Sequence, residues 1–256
     1  MESPQHALLE TQLKALRLPT FLRYYRQLAL EAAQAQHSYE RYLLALTEQE
    51  LAQRESNRQH QCIRAARFPT LKELADFDFS AVPSLNKARI LDLAQGQYVQ
   101  RREPLLLVGN PGLGKTHVAI GLALTACRQG YRVRFYNAAA LVSELLQAQT
   151  EHRLPRLLQY TLKQQLLVLD ELGFIPFSAT GAQLLFQWCS TLYERVALIV
   201  TTNLRFADWT QVFGDERLTA ALLDRLTHHA HILEFTGESY RFRQRLQHEA
   251  SGGALG

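Results

Sequence analysis

The sequence predicts an α/β fold: a five-stranded parallel sheet between helices, preceded by a small all-α N-terminal domain. Three observations carry this. From Glu103 onward, short β-type runs alternate with helical ones, the pattern of a parallel sheet covered by helices on both faces. The runs LLLV, LLVL and LIV are almost continuously apolar, as strands buried on both sides are. Residues 5–67, by contrast, contain no glycine and are dominated by Leu, Ala, Gln, Arg and Glu, which are good helix formers.

In chain order, Pro19 and then His37-Ser38 interrupt the helical region. This gives two shorter helices and a long one from about Tyr39 to Ala66, with Ser38 as N-cap. Arg41 stands at the third helical position, so there is no capping box. Tyr39, Tyr42, Leu43 and Leu46 form an apolar stripe at helical spacing, with Glu50-Leu51 as its candidate continuation. Phe68-Pro69 stops the helix, because proline disfavours helical geometry in the residue before it. A short connector and a helix then enter a second domain, with the boundary near residue 70. There PLLLVG is followed by a helix from Gly114, RVRFYN by one over 139–164, and QLLVLDE by one over 179–194. ALIVTTN is followed by a helix over about 216–228, and HILEF is the last strand. The terminal SGGALG is low in complexity and is expected to be disordered.

Composition narrows the class. With 47% hydrophobic and 20% charged residues the chain reads as an ordinary soluble globular protein. No apolar run approaches the roughly 20 residues needed to cross a bilayer. The start, MESPQHALLETQLKAL, lacks a basic segment followed by an apolar one, so a cytoplasmic location without membrane contact is expected. Cys62, Cys127 and Cys189 are far apart and form no C-x-x-C pair, which argues against a disulfide framework or zinc site. The net charge of +4 is mild and evenly shared between the two halves. It permits a polyanionic partner, whose surface must then be a local patch.

The chemistry begins at residues 109–116, GNPGLGKT, which have the spacing G-x-x-x-x-G-K-S/T between an apolar strand and a helix. Gly109, Gly112 and Gly114 let the backbone wrap a phosphate at the positive end of that helix. Asn110, Pro111, Leu113 and His117 complete the loop. Lys115 is placed to reach the β- and γ-phosphates of a nucleotide, and the Thr116 hydroxyl to ligate Mg²⁺. Magnesium also needs a carboxylate opposite the loop, and Asp170 ends a buried strand in LLVLDE. Glu171 follows directly, placed to polarise an attacking water. Two solvated acids at a strand end are the plainer alternative. Asn203, at the tip of ALIVTTN, is a polar group for a water or the γ-phosphate. An acidic pair with a polar residue on the next strand points to nucleotide hydrolysis and away from transfer to a metabolite.

Taken together, the loop, LLVLDE and TTN resemble the AAA+ ATPases. The segments RAARFPTLKELADFDFS, LLVLDELGFIPFS, FADWTQVFGDERLTAALLDRLTHHAHILEF and GESYR resemble IstB, the ATP-binding helper of insertion-sequence transposition. The resemblance runs from about residue 5 to 246 and is most specific over 166–241. It implies a helical N-terminal domain (1–70) for DNA or partner binding, a AAA+ domain (71–246) and a disordered tail (247–256). It implies an ATP-dependent oligomer whose sites are completed by an arginine from a neighbour. Arg225 in LLDRL matches that position best, and Arg217 is the fallback. Arg241 in GESYR stands where the family places a sensor arginine. The short stretch after Phe235 implies a reduced C-terminal lid, a feature shared with DnaC-type helicase loaders. The activity implied is an ATPase that assembles on duplex DNA and stimulates a transposase of the IstA type in DNA transposition. A DnaC-like helicase loader, preferring single strands, is the alternative.

RESNRQHQCIRAAR carries Arg54, Arg58, Arg64 and Arg67 against one acid, Glu55. On a helix the first three fall within an arc of about 120°, a stripe able to follow phosphates or simply to be a solvated face. Tyr24 and Tyr25 are expected to pack the small helical domain rather than to stack on bases. His228, His229 and His231 have no carboxylate or Cys at ligand spacing, which argues against a metal site there.

Overall fold

A computed structural model of the chain describes residues 4–237 and Ser239. The chain divides into two compact units after Gln61, a few residues ahead of the Phe68-Pro69 stop. The tail and Arg241 lie outside the described residues.

The first unit holds α1 (Pro4–Ala15), α2 (Pro19–Gln34) and most of α3 (Tyr39–Ala66). Pro19 sits in the first turn of α2, where its missing N–H is not needed. The Ser38 hydroxyl accepts the Arg41 N–H at 3.3 Å and starts α3. Leu13, Tyr25 and Leu46 form the core, with Phe21, Leu22, Tyr24 and Tyr42 packed around it. The Tyr25 hydroxyl donates to Glu10 and the Tyr42 hydroxyl to the Tyr25 carbonyl, both at 3.1 Å, so these rings pack as expected. The apolar stripe of α3 is only half used. Leu46 and Tyr42 reach the core, whereas Tyr39, Leu43 and Leu51 stay exposed. Leu51 stands about 140° round the helix from Leu46, too far to share its face.

The second unit opens with the end of α3, where Ala66 is buried and Phe68 meets Phe135 edge-on at 6.3 Å. Two short 3₁₀ turns, Leu74–Asp76 and Phe79–Ala81, follow, then α4 (Lys87–Leu93), capped by Asn86, and α5 (Gln97–Arg101). The alternating region is β1 (Leu105–Gly109), α6 (Lys115–Arg128), β2 (Val133–Asn137), α7 (Ala138–Thr150), α8 (Leu154–Leu162), β3 (Leu166–Leu172) and α9 (Ala179–Leu192). It ends with β4 (Ala197–Thr202), α10 (Thr210–Phe213), α11 (Glu216–Thr227) and β5 (His231–Phe235). The single helix expected over 139–164 is two. Pro155 is tolerated in the first turn of α8 but not within a longer helix, and His152 turns the chain before it with φ 55.

All five strands run parallel in the order β2-β3-β4-β1-β5. β4 therefore stands between the loop strand β1 and the acidic strand β3. Successive residues face opposite sides of the sheet, and both sides are core. Leu105, Leu107, Val168 and Ile199 pack with α6, while Leu106, Leu167, Leu169 and Val200 pack with α7 and α9. That two-sided burial is why the strands read as unbroken apolar runs. Among the described residues no helix is long and apolar enough to cross a membrane.

Candidate functional site

The phosphate loop leaves the C-terminal edge of β1. A side chain at Gly109 (φ 150) would place its Cβ 2.2 Å from the Phe235 carbonyl, so only glycine lets β1 lie this close to β5. Gly114 has φ 85 and caps α6, and a Cβ there would lie 2.5 Å from the Phe77 ring. The Lys115 ammonium donates to the carbonyls of Gly109 (2.6 Å) and Asn110 (2.8 Å), spanning the loop it belongs to. The His117 ring bonds the Glu73 carbonyl at 2.7 Å and meets Phe77 edge-on, so its side chain is committed to the connector.

Thr116, in the first turn of α6, and Asp170, near the end of β3, meet: the hydroxyl donates to Asp170 Oδ1 at 2.9 Å. Asp170 is buried and takes a second bond on the same oxygen, from the Thr201 hydroxyl at 2.5 Å. Burial pushes the Asp170 carboxyl above its ordinary value, and the bonds from Thr201 and Thr116 pull the other way. Glu171 is exposed and adopts φ 61, rare for a residue with a side chain. Its N–H donates to Thr201 Oγ1 at 2.9 Å, and its carboxylate accepts from the Asn137 amide at 2.8 Å. Lys115, Thr116, Glu171 and Asn203 line one cavity of about 700 Å³, together with Pro111, Gly112, Leu113, Gly114 and His117. A hydroxyl and a buried carboxylate in contact are hard oxygen donors, the set that suits magnesium.

Three parts of this site carry no signal of their role in the sequence. Connector residues Leu71, Asp76, Phe77 and Val82 line the same cavity beside the loop. The connector is held over α6 by Leu74, which packs on Gly121, and by Glu73, which accepts two bonds from Arg128 at 2.7 and 2.5 Å. The second and third are Asn137 and Thr201, the partners of Glu171. Asn137 is legible only as a helix cap, since its side-chain oxygen caps α7 through Ala139 and Ala140; nothing local announces its bond to Glu171.

The remaining candidates lie elsewhere. β1 and β5 run parallel with Leu105 opposite His231, so the last turn of α11 sits at the sheet edge away from the loop. There Arg225 donates to the Ala221 carbonyl at 2.7 Å, stacks over Phe186 at 4.9 Å and lines a separate cavity of about 370 Å³. Arg217 is exposed in the first turn of α11. Arg54 bonds Glu50 at 2.6 Å and the Arg17 carbonyl at 3.1 Å, inside the first unit. Arg58 is exposed, 4.0 Å from Glu55. Arg64 and Arg67 belong to the second unit and are exposed. His228 pairs with the Tyr193 hydroxyl and His231 with Glu103, each at 2.8 Å.

A phosphate loop after β1, an acidic pair on β3 and an intervening β4 followed directly by Asn203 define a AAA+ fold. Its likeness to the crystal structure of the DnaC helicase loader covers 69% of this chain and 99% of that one, with TM-score 0.51 and 22% identity. Residues 11–248 match the family described as IstB-like ATP binding protein, and the chain belongs to that family. It is 36% identical over 237 residues to the protein assigned as ATP-binding in insertion sequence IS21 of Pseudomonas aeruginosa, covering 93% of this chain and 89% of that one. It is also 36% identical to the corresponding protein of IS5376 from Geobacillus stearothermophilus, covering 91% and 94%.

Proposed function

We propose that this chain is an ATP-dependent DNA-binding ATPase of an insertion sequence, which assembles on duplex DNA with ATP bound and recruits or stimulates an IstA-type transposase. The observation that carries this is the convergence of Lys115, Thr116, Glu171 and Asn203, from three separate strand ends, around one cavity, with Asp170 bonded to Thr116 behind it, in a member of the IstB-like family. Lys115 exchanges the Gly109 and Asn110 carbonyls for the β- and γ-phosphates. Thr116 and Asp170 would hold Mg²⁺, whose charge would offset that developing on the phosphate oxygens. Glu171, released from Asn137, orients the attacking water, and Asn203 contacts that water or the γ-phosphate. Arg225, remote from the loop of its own chain, acts on a neighbour's nucleotide, with Arg217 as the alternative and Arg241 as the sensor arginine. An arginine supplied in trans contributes about 10³–10⁵ in rate in other nucleotide hydrolases, so turnover depends on assembly. The exposed Arg58, Arg64 and Arg67 contact DNA phosphates.

The test is sedimentation of Glu171→Gln with ATP, on duplex and on single-stranded DNA of equal length. Large complexes on duplex that are absent with ADP are expected, and adding a transposase then follows. Binding to single strands alone moves the function to helicase loading, a reading that rests on the fold.

A further inference from the structure

β3 and β4 pair in regular register from Leu166–Ala197 to Leu169–Val200, and pairing resumes at Leu172–Thr202. Two residues of β3, Asp170 and Glu171, therefore stand opposite one residue of β4, Thr201. This is a β-bulge, with its second residue at φ 61. In a regular strand consecutive side chains leave on opposite faces. At the bulge both acids serve one site: Asp170 reaches Thr116, and Glu171 lines the cavity that Thr116 also lines.

A bulge disrupts the ladder locally, and here the Glu171 N–H is taken up by a side chain, Thr201 Oγ1, at 2.9 Å. The same hydroxyl donates its only proton to Asp170 Oδ1 at 2.5 Å. Thr201 is 1% exposed and stands at the wall of the same cavity. The hydroxyl thus uses both of its capacities, accepting from one acid's backbone and donating to the other acid's carboxylate. Valine fills the same volume with neither capacity, and serine has both.

We propose that Thr201 is a positioning residue whose hydroxyl sets the geometry between the metal-side carboxylate Asp170 and the water-orienting Glu171. This deepens the ATPase reading above and rests on it. Thr201→Val removes the bond to each acid and leaves Asp170 only its bond from Thr116 and Glu171 only its bond from Asn137, while Thr201→Ser keeps all four.

The experiment uses the full chain with Thr201→Val and Thr201→Ser. The readouts are kcat and KM for ATP with duplex DNA, and the affinity of a fluorescent ATP analogue in EDTA and in Mg²⁺. In Thr201→Val, kcat falls about 100-fold, the scale of a small misplacement of a reacting group. Its affinity in EDTA stays within about twofold of wild type, and the gain in affinity on adding Mg²⁺ shrinks. Thr201→Ser restores both kcat and the Mg²⁺ gain. An unchanged kcat and Mg²⁺ gain in Thr201→Val overturns the inference. So does equal loss in Val and Ser variants with nucleotide affinity in EDTA lost as well, which marks a purely structural threonine. If Thr201→Val does not fold, Thr201→Ala is read against Thr201→Ser by the same criteria, and a serine variant without activity or Mg²⁺ gain overturns the inference by itself. If wild type binds nucleotide but hydrolyses none on any DNA, the ATPase reading fails, and the Mg²⁺ gain still decides the role of Thr201.

Discussion

Replacing Glu50 by Gln removes one charge from the interior of the first unit and changes its shape very little. The Glu50 carboxylate is buried, accepts the Thr20 N–H at 3.2 Å and takes the Arg54 guanidinium at 2.6 Å. Arg54 in turn reaches the Arg17 carbonyl, so one acid ties the start of α2 and the α1–α2 turn to α3. Burial alone raises the Glu50 carboxyl, but the bonds from Arg54 and Thr20 outweigh it and hold the group below its ordinary value of 4.5. A hydrogen bond to a charged group contributes about 1.5–3 kcal/mol, and the half-exposed Arg54 side chain places this one toward the low end. Gln keeps an acceptor for Thr20 and loses the charge-assisted bond, so a cost of about 1.5 kcal/mol is expected. That corresponds to roughly tenfold faster amide exchange at the start of α2, read by hydrogen–deuterium exchange on the full chain. The sign in pH follows from the lowered carboxyl. The stabilisation is present above the ordinary value of 4.5 and is lost as pH falls through the lower, folded-state value, a dependence that Glu50→Gln removes. Unchanged exchange at neutral pH, with the acid dependence intact, refutes the reasoning and returns Arg54 to the set of cations available for DNA.

Three further outcomes are expected. Lys115→Ala lowers nucleotide affinity at least about tenfold in equilibrium dialysis, because it removes the ammonium that serves the phosphates; intact affinity would displace the loop assignment. Asn137→Asp keeps the α7 cap but sets a like charge against Glu171, 2.8 Å from the present amide. Turnover then changes while nucleotide affinity and melting temperature do not, and an identical kcat removes Asn137 from the site. Replacing Arg58, Arg64 and Arg67 together by Gln flattens the log–log salt dependence of duplex binding, by about 0.9 in slope for each phosphate no longer neutralised, and an unaltered slope makes them a solvated face.

The elements most legible in the sequence are those whose geometry is set within a few residues. The phosphate loop is one: Gly114, Lys115 and Thr116 each act at a fixed offset from the end of β1 and the start of α6. The two-sided strands are another, because burial on both faces leaves an unbroken apolar run. The Glu50–Arg54 pair is equally local, a four-residue helical spacing, yet an arc drawn through the arginines alone passes over it. Strand order is not legible, since nothing in ALIVTTN states that it lies between β1 and β3. The connector over 70–82 reads as a linker because its partners are distant in the chain: Glu73 binds Arg128 and Leu74 rests on Gly121.

The bulge at Asp170-Glu171 shows where local reading stops and why. LLVLDE has the pattern of a buried strand that meets solvent at its end, and adjacent acids there call for no explanation. Their placement depends on one extra residue in β3 relative to β4, a property of the pairing and of neither strand alone. Thr201 absorbs that mismatch by giving a side-chain acceptor to the Glu171 N–H, and the same atom then constrains Asp170. A single hydroxyl between the two acids makes their geometry a shared variable. Substitutions at Thr201 and Asp170 should therefore be non-additive in kcat, as groups in one hydrogen-bonded network are. Additive losses in a Thr201→Val, Asp170→Asn cycle would mean that the two acids are positioned independently and that the bulge is held by its backbone alone.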